Sequence, residues 1–357
     1  MINVTKTFLP PLEEYKTIVS RAWDNAWLTN RGVLVEELEG NIKEYLGVKN
    51  VIATANGTLP IQIAIKTLKL EGEIITTPFS YVATTSSIVW ENCKPIFVDI
   101  HPDFLTIDET KIEEAITKNT SAILATHVFG NPCNVVEIEK IAKKYNLKVI
   151  YDAAHCFGVK INNKSVFEYG NISTCSFHAT KIFHTGEGGA MITTDNSLYD
   201  RLFKSHNFGH VTPESFNDVG INAKMSELQA AMGLAVFPYF QDILEKRKEL
   251  VQIYDDELSF NGVRRFSLRP GAEWNYSYYA VIFDSEKQLV SILNLLQANQ
   301  IFPRRYFYPS LNNLSYVSGS EMPISESISK RVLCLPLYHD LLTSEVFKIC
   351  DLINRSV

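Results

Sequence analysis

No stretch of this chain approaches the roughly 18 consecutive apolar residues that a membrane helix requires, and no partner membrane is expected for its 357 residues. A basic excess is also missing. Lys and Arg number 34 against 40 Asp and Glu, a formal net charge of −6, which disfavours nucleic-acid binding by bulk charge. A local basic pocket for a phosphate is unaffected by that balance. Cysteine is sparse and scattered (Cys93, Cys133, Cys156, Cys175, Cys334, Cys350), with no Cys-x-x-Cys pair, so zinc and iron–sulfur spacings are absent and no metal site is expected. Most of these thiols sit in apolar stretches such as Val332-Leu-Cys-Leu-Pro-Leu337, which predicts buried free thiols in a reducing compartment. The first residues carry no basic segment leading into an apolar core, and a cytoplasmic protein is expected.

What is present is alternation. Apolar runs at 51–55, 73–77, 95–99, 121–127 and 148–152 read as strands. Between them, helical spacing predicts helices at 59–68, 83–90, 110–118 and 135–145. Strand–helix–strand at this spacing implies crossover connections and a mostly parallel sheet covered on both faces. In such sheets ligands lie beyond the carboxyl ends of the strands. From about residue 225 the pattern changes. An apolar stretch at 225–237 is interrupted by Pro238, and helices are predicted at 241–258, 286–298 and 345–353, with a strand at 278–283. Thr343 or Ser344 is available to cap the last helix. The expectation is an α/β fold of two domains, a large one over 1–240 and a smaller α+β one over 241–357.

Four strand-end segments carry candidate chemistry: Asn56-Gly-Thr58, Pro78-Phe-Ser-Tyr81, Tyr151-Asp-Ala-Ala-His155 and Ser176-Phe-His-Ala-Thr-Lys181, the last followed by Thr185-Gly-Glu-Gly-Gly189. A Gly-Thr turn between strand and helix suits a phosphate, because Gly allows close approach and helix N–H groups face outward. Asp152 reads either as a helix N-cap or as an anion that holds a pyridine nitrogen protonated. Tyr81 is either a core ring or a platform for a flat cofactor. Lys181 lies among Phe177, Ala179, Ile182 and Phe183, and an amine in apolar surroundings loses its proton more readily, as carbonyl chemistry requires. Phosphate cradle, aromatic platform, strand-end Asp and lysine together fit pyridoxal 5'-phosphate.

The chain also resembles the DegT/DnrJ/EryC1/StrS family of nucleotide-sugar aminotransferases over essentially its whole length. The resemblance rests on the segments above with Trp27-Leu-Thr-Asn30, Phe97-Val-Asp99, Glu187-Gly-Gly189, Gly220-Ile-Asn222, Met225-Ser-Glu-Leu-Gln-Ala-Ala231 and Leu335-Pro-Leu337. It implies the fold-type I, aspartate aminotransferase-like architecture and pyridoxal 5'-phosphate as cofactor. By position, Lys181 matches the lysine that anchors the cofactor and shuttles the proton, and Asp152 matches the partner of the pyridine nitrogen. His155 falls where relatives contact the phenolic oxygen, and Tyr81 matches the ring stacked on the cofactor. Gly57, Thr58 and Ser176 match phosphate ligands, and Asn222 matches one donated by the second subunit of a homodimer. Lys224, Arg304 and Arg305 are further candidates for the nucleotide diphosphate, and His184 for the substrate.

Two residues depart from the family pattern: Arg31 stands where many relatives have Gly, and Pro60 where they often have Ala, the latter tolerated in a first helical turn. Within the family, Phe8-Leu-Pro-Pro-Leu12, Trp23-Asp-Asn25 and His127-Val-Phe-Gly-Asn-Pro-Cys-Asn134 resemble the branch that aminates C4 of dTDP-4-keto-6-deoxyglucose for polysaccharide or O-antigen sugars, with glutamate as donor. Amination of a 3-keto sugar, or of the GDP-linked 4-keto sugar of perosamine synthesis, are the alternatives. A non-enzymatic regulator with the same fold is the rival of another class. The related sugar 3-dehydratases carry His in place of the lysine, which Lys181 disfavours.

Overall fold

The computed structural model describes residues 1–356. Among them, a seven-stranded sheet runs in the spatial order Asn50–Thr54, Gly189–Thr193, Ile172–Ser176, Lys148–Asp152, Thr120–Thr126, Glu73–Thr76, Lys94–Phe97. Only Gly189–Thr193 is antiparallel to its neighbours; the remaining pairs are parallel. The strands are apolar on both faces because helices cover both. One face carries the core built around Leu34, Leu38, Ile123, Tyr151 and Phe183, the other the core around Ile61, Ile74, Leu124 and Leu202. This is the α/β, mostly parallel arrangement that the alternation predicts.

A second three-stranded antiparallel sheet, Val263–Arg265, Tyr279–Phe283 and Val332–Leu335, lies in the C-terminal part. Its core includes Tyr254, Phe283, Leu296 and Ile349, and it also takes in Phe79, Ile100 and Phe129 from the first half. Helix Phe240–Glu257 serves both regions. Phe240 and Ile243 belong to the core of the large sheet, Leu250, Val251 and Tyr254 to the C-terminal one.

Local chemistry sets several helix ends. Asn134 caps helix Val135–Tyr145 by accepting the Glu137 amide, and Asn146 closes it with φ 54°. Ser285 does the same for Glu286–Ala298. Helix Glu227–Val236 begins with a reciprocal capping box between Ser226 and Gln229.

Two local expectations are corrected, and two helices come in addition. The segment expected as a helix over 110–118 forms two short 3₁₀ turns, Glu109–Lys111 and Glu113–Ala115. Asp108 turns back to accept both the amide and hydroxyl of Thr110, and Glu109 is drawn inward to Arg269. Neither Thr343 nor Ser344 caps the last helix: Thr343–Asn354 starts after Leu342, whose amide donates to the Glu345 carboxylate at 2.9 Å. Helices Leu12–Asp24 and Val33–Leu46 precede the first strand of the large sheet without having been read from the pattern. The six cysteines are free and buried, and among the described residues no helix is long and apolar enough to cross a membrane.

Candidate active site

Parallel strands end together, so residues distant in sequence meet at one edge of the sheet. Asp152 closes strand Lys148–Asp152, Ser176 closes Ile172–Ser176, and Gly57 follows Asn50–Thr54. Lys181 stands in the turn after Ser176. Ala154, His155, Ser176, Thr180, Lys181 and Tyr278 line one small cavity there.

Asp152 is 5% exposed. Oδ2 accepts the Thr84 hydroxyl at 2.6 Å and Oδ1 the Ala154 amide at 3.2 Å. Burial pushes its carboxyl above the ordinary value, opposed by those two donors and by the positive field of Lys181. A desolvated carboxylate of this kind is stabilised by a nearby cation. Lys181 is half-buried, less enclosed than its apolar sequence neighbours suggest, and its Nζ lies 5.9 Å from the centre of the Tyr278 ring.

His155 is buried, and its Nδ1 accepts the Phe129 amide at 3.2 Å. Burial, together with Lys181 and Arg304, holds the ring well below its ordinary pKa, so it is neutral with the proton on Nε2. That nitrogen makes no hydrogen bond among the described residues and is available as a donor. The backbone behind it is fixed from the C-terminal part: Asn275 Nδ2 and Ser277 Oγ both donate to the His155 carbonyl. The buried Arg247 guanidinium in turn donates to the carbonyls of Tyr276, Ser277 and Leu337.

The Gly57 turn packs directly on Ser176, where a Cβ on residue 57 would fall 2.7 Å from the Ser176 Cβ. Asn56 Oδ1 already accepts the amides of Thr58 and Leu59. The helix start therefore offers fewer free N–H groups than a bare N-terminus, and the donors left are the Gly57 amide and the hydroxyls of Thr58 and Ser176. Tyr81 begins helix Val82–Trp90 with its ring half exposed, 6.2 Å from Tyr306. A flat anionic pyridine fits this set. It meets a buried carboxylate, a neutral ring N–H donor, an open tyrosine face, an amine, and a glycine–hydroxyl cradle.

The remaining candidates separate. Asn222 is exposed and Lys224 half-buried on a segment bridged to Thr54 and Asn207, away from the cavity lining. Lys224 donates to Asn207 Oδ1 at 2.7 Å and lies 4.7 Å from the Phe208 ring centre. Arg304 is exposed over the Tyr306 ring, whereas Arg305 is paired with Glu286. His184, read as a candidate substrate contact, is instead a buried strut. Its Nδ1 accepts the Gly186 amide, so Nε2 donates to the Phe8 carbonyl at 2.7 Å. Arg31 adopts φ 58°, the left-handed backbone that glycine takes freely. Its side chain is held by Glu36 and Glu39, and Glu39 also accepts the Ala53 amide.

Sequence reasoning missed Ser80, Thr84 and Thr126, which back Asp152, and Asn275, Ser277 and Arg247, which back His155. The only signal for the first group was two hydroxyl residues four apart, Ser80 and Thr84, at a helix start.

Fold and site together define an aminotransferase of the fold-type I class. The chain belongs to the DegT/DnrJ/EryC1/StrS aminotransferase family, matched over residues 12–354; aminotransferases of this family depend on pyridoxal phosphate. It is 40% identical to the dTDP-4-amino-4,6-dideoxy-D-glucose transaminase of Shigella dysenteriae over 95% of each chain. It is 39% identical to the Escherichia coli protein so named, covering 99% of this chain and 98% of the other. The structure of DesI in the presence of its TDP-sugar product superposes with a TM-score of 0.94 at 30% identity, covering 99% of this chain and 92% of that one.

Proposed function

We propose that this aminotransferase converts dTDP-4-keto-6-deoxyglucose to dTDP-4-amino-4,6-dideoxyglucose, using pyridoxal 5'-phosphate and glutamate, as a cytoplasmic step in making polysaccharide sugars. The observation that carries the reading is the convergence of His155, Ser176 and Lys181 on one cavity, with the buried Asp152 at the adjoining strand end within the positive field of Lys181, in a chain about 40% identical to two transaminases named for that sugar. When bound, the cofactor supplies an electron sink and a carrier for the amino group. Lys181 would hold it and, once free, move a proton as general base and acid. Asp152 would face the ring nitrogen, with His155 Nε2–H donating to the phenolic oxygen and Tyr81 covering one face. Gly57, Thr58 and Ser176 would take the phosphate, joined by Asn222 of a second copy, and Lys224 and Arg304 would face the nucleotide diphosphate. The domain reading, 1–240 and 241–357, places the break at the start of helix Phe240–Glu257, which packs on both cores.

Incubating the protein with glutamate and each of three substrates (the dTDP-4-keto, a 3-keto and the GDP-4-keto sugar) and locating the new amine by NMR tests the reading. Nitrogen at C4 of the dTDP sugar is expected. Nitrogen at C3, or product from the GDP sugar alone, overturns the substrate assignment.

A further inference from the structure

Asp152 is the end of a chain of hydroxyl groups. Its Oδ2 accepts from Thr84 Oγ1 at 2.6 Å, Thr84 Oγ1 lies 2.7 Å from Ser80 Oγ, and Ser80 Oγ lies 3.0 Å from Thr126 Oγ1. The four side chains come from a helix start, the turn before it and the ends of two adjacent strands, and all are buried.

Proton bookkeeping gives this chain a direction. An ionised carboxylate only accepts, so Thr84 must donate to Asp152. Having used its one proton, Thr84 accepts from Ser80, and Ser80 accepts from Thr126. Every hydroxyl proton then has an acceptor. A proton on Asp152 Oδ2 reverses the sequence: Asp152 donates to Thr84, Thr84 to Ser80 and Ser80 to Thr126. The Thr126 hydroxyl proton is then left without an acceptor among the described residues, and a buried unpaired donor carries its full desolvation penalty. A proton on Oδ1 would instead compete with the Ala154 amide donated to that atom. The asymmetry therefore lies at the far end of the chain, two hydroxyls away from the carboxylate.

We infer that Thr126, Ser80 and Thr84 form a one-way hydroxyl chain that keeps Asp152 an anion in a fixed rotamer, so that it can pair with a protonated ring nitrogen. The three are positioning residues, and the inference rests on the cofactor reading proposed above. The other ionisable groups around Asp152 are Lys181, whose positive field favours the anion, and the thiols Cys133, Cys156 and Cys175, which burial keeps protonated. His155 is buried and neutral. Among these, Lys181 is the cation, and the hydroxyl chain acts separately, through the hydrogen bond from Thr84.

The test compares Thr84→Val, Thr84→Ser and Ser80→Ala in the full-length protein with two readouts. One is the titration of the Asp152 carboxyl without cofactor, followed by carbon-13 NMR and assigned by its loss in Asp152→Asn. The other is the rate of pyridoxal 5'-phosphate loss from the loaded protein. Thr84→Val is expected to raise the carboxyl midpoint by about one pH unit, a tenfold change in ionisation, and to speed cofactor loss about tenfold. Thr84→Ser restores both to within about twofold, and Ser80→Ala, in which Thr84 still donates to Asp152 but is no longer polarised by a donor of its own, falls between. An unchanged midpoint in Thr84→Val, or a Thr84→Ser variant as defective as Thr84→Val, overturns the inference. Should Thr84→Val fail to fold, Ser80→Ala decides, and a wild-type midpoint there overturns it. If the midpoints move as stated but the wild-type protein takes up no pyridoxal 5'-phosphate, the hydroxyl chain stands and the cofactor reading falls.

Discussion

Arg304 and Arg305 are adjacent in sequence and opposite in circumstance. Arg305 donates to Glu286 at 2.7 Å and to the Lys330 carbonyl, with its guanidinium over Tyr308. Arg304 has no carboxylate partner among the described residues. Its backbone is pinned to Cys334 by two hydrogen bonds, and its guanidinium lies 4.5 Å from the centre of the Tyr306 ring. Tyr306 in turn neighbours His155, Tyr278 and Tyr81. One arginine is neutralised by the fold, and the other is held over the aromatic wall of the site with its charge unspent.

The first prediction follows from that difference. Arg304→Ala raises the KM for the nucleotide sugar by about tenfold or more with a smaller change in kcat, because a charge-assisted contact to an anion is lost. Arg305→Ala leaves KM within about twofold and lowers stability by less than about 1 kcal/mol, as for other part-exposed pairs. Steady-state kinetics and thermal unfolding check both, and equal KM effects would refute the assignment.

Lys181→Ala is expected to reduce turnover by at least about 10³-fold, the range for loss of an essential proton-transfer group. The side chain makes no hydrogen bond or ion pair among the described residues, so the fold should be retained. Near-normal transamination by a variant with unchanged circular dichroism would show that another group carries the proton.

Much of this site was legible because strand ends are legible. Asp152 closes an apolar run and Gly57 follows one, so a parallel sheet brings them to one edge wherever its helices lie; Ser176 and Lys181 stood out by their segment and the glycine-rich turn after it. The helix Leu12–Asp24 left little trace because Ala22 is its sole buried residue while Trp23 is 63% exposed. The backing of Asp152 was hidden for a different reason: Ser80, Thr84 and Thr126 are small hydroxyl residues in apolar surroundings, compatible with any helix or strand interior. Arg304 and Arg305 could not be told apart either, because what separates them is Glu286, brought near by the tertiary fold. His184 stood as a substrate candidate because its acceptor, the Phe8 carbonyl, lies 176 residues away in the sequence.

The buried pair Arg269–Glu109 ties the C-terminal part to the 3₁₀ turn Glu109–Lys111 at 2.8 Å, with Asn134 also donating to Glu109 and Arg269 to the Thr106 hydroxyl. Burial pushes the Glu109 carboxyl up, but the donors from Arg269 and Asn134 bring it below the ordinary value. A carboxyl lowered in the folded state stabilises above its unfolded pKa, and that contribution is lost as pH falls through the folded one. Glu109→Gln, which leaves Arg269 buried and unpaired, should cost about 3–5 kcal/mol at neutral pH. The difference from wild type should shrink on acidification below about pH 4. Denaturant unfolding at several pH values measures this, and a pH-independent difference would exclude the ionised pair as its source.

The last prediction concerns assembly. Asn222 is exposed and lies near apolar side chains that are themselves open, with Phe208 at 48%, Phe216 at 59% and Val219 at 69% exposure. Exposed apolar surface of this kind marks an interaction site, and a second copy would bury it while bringing Asn222 to the neighbouring cradle. In a two-fold dimer built this way, each site combines Lys181 of one chain with Asn222 of the other. Lys181→Ala and Asn222→Ala proteins, each inactive alone, are then complementary. A mixed dimer holds one site lacking both groups and one site with both intact, so random reassortment should restore roughly a quarter of wild-type activity. If both residues instead acted within one chain, each subunit of the mixed dimer would keep its own defect and no activity would return. Dissociating and re-pairing the two variants, with sedimentation to confirm the dimer, decides between these geometries. An active monomer, or mixed dimers without activity, would remove Asn222 from the shared site.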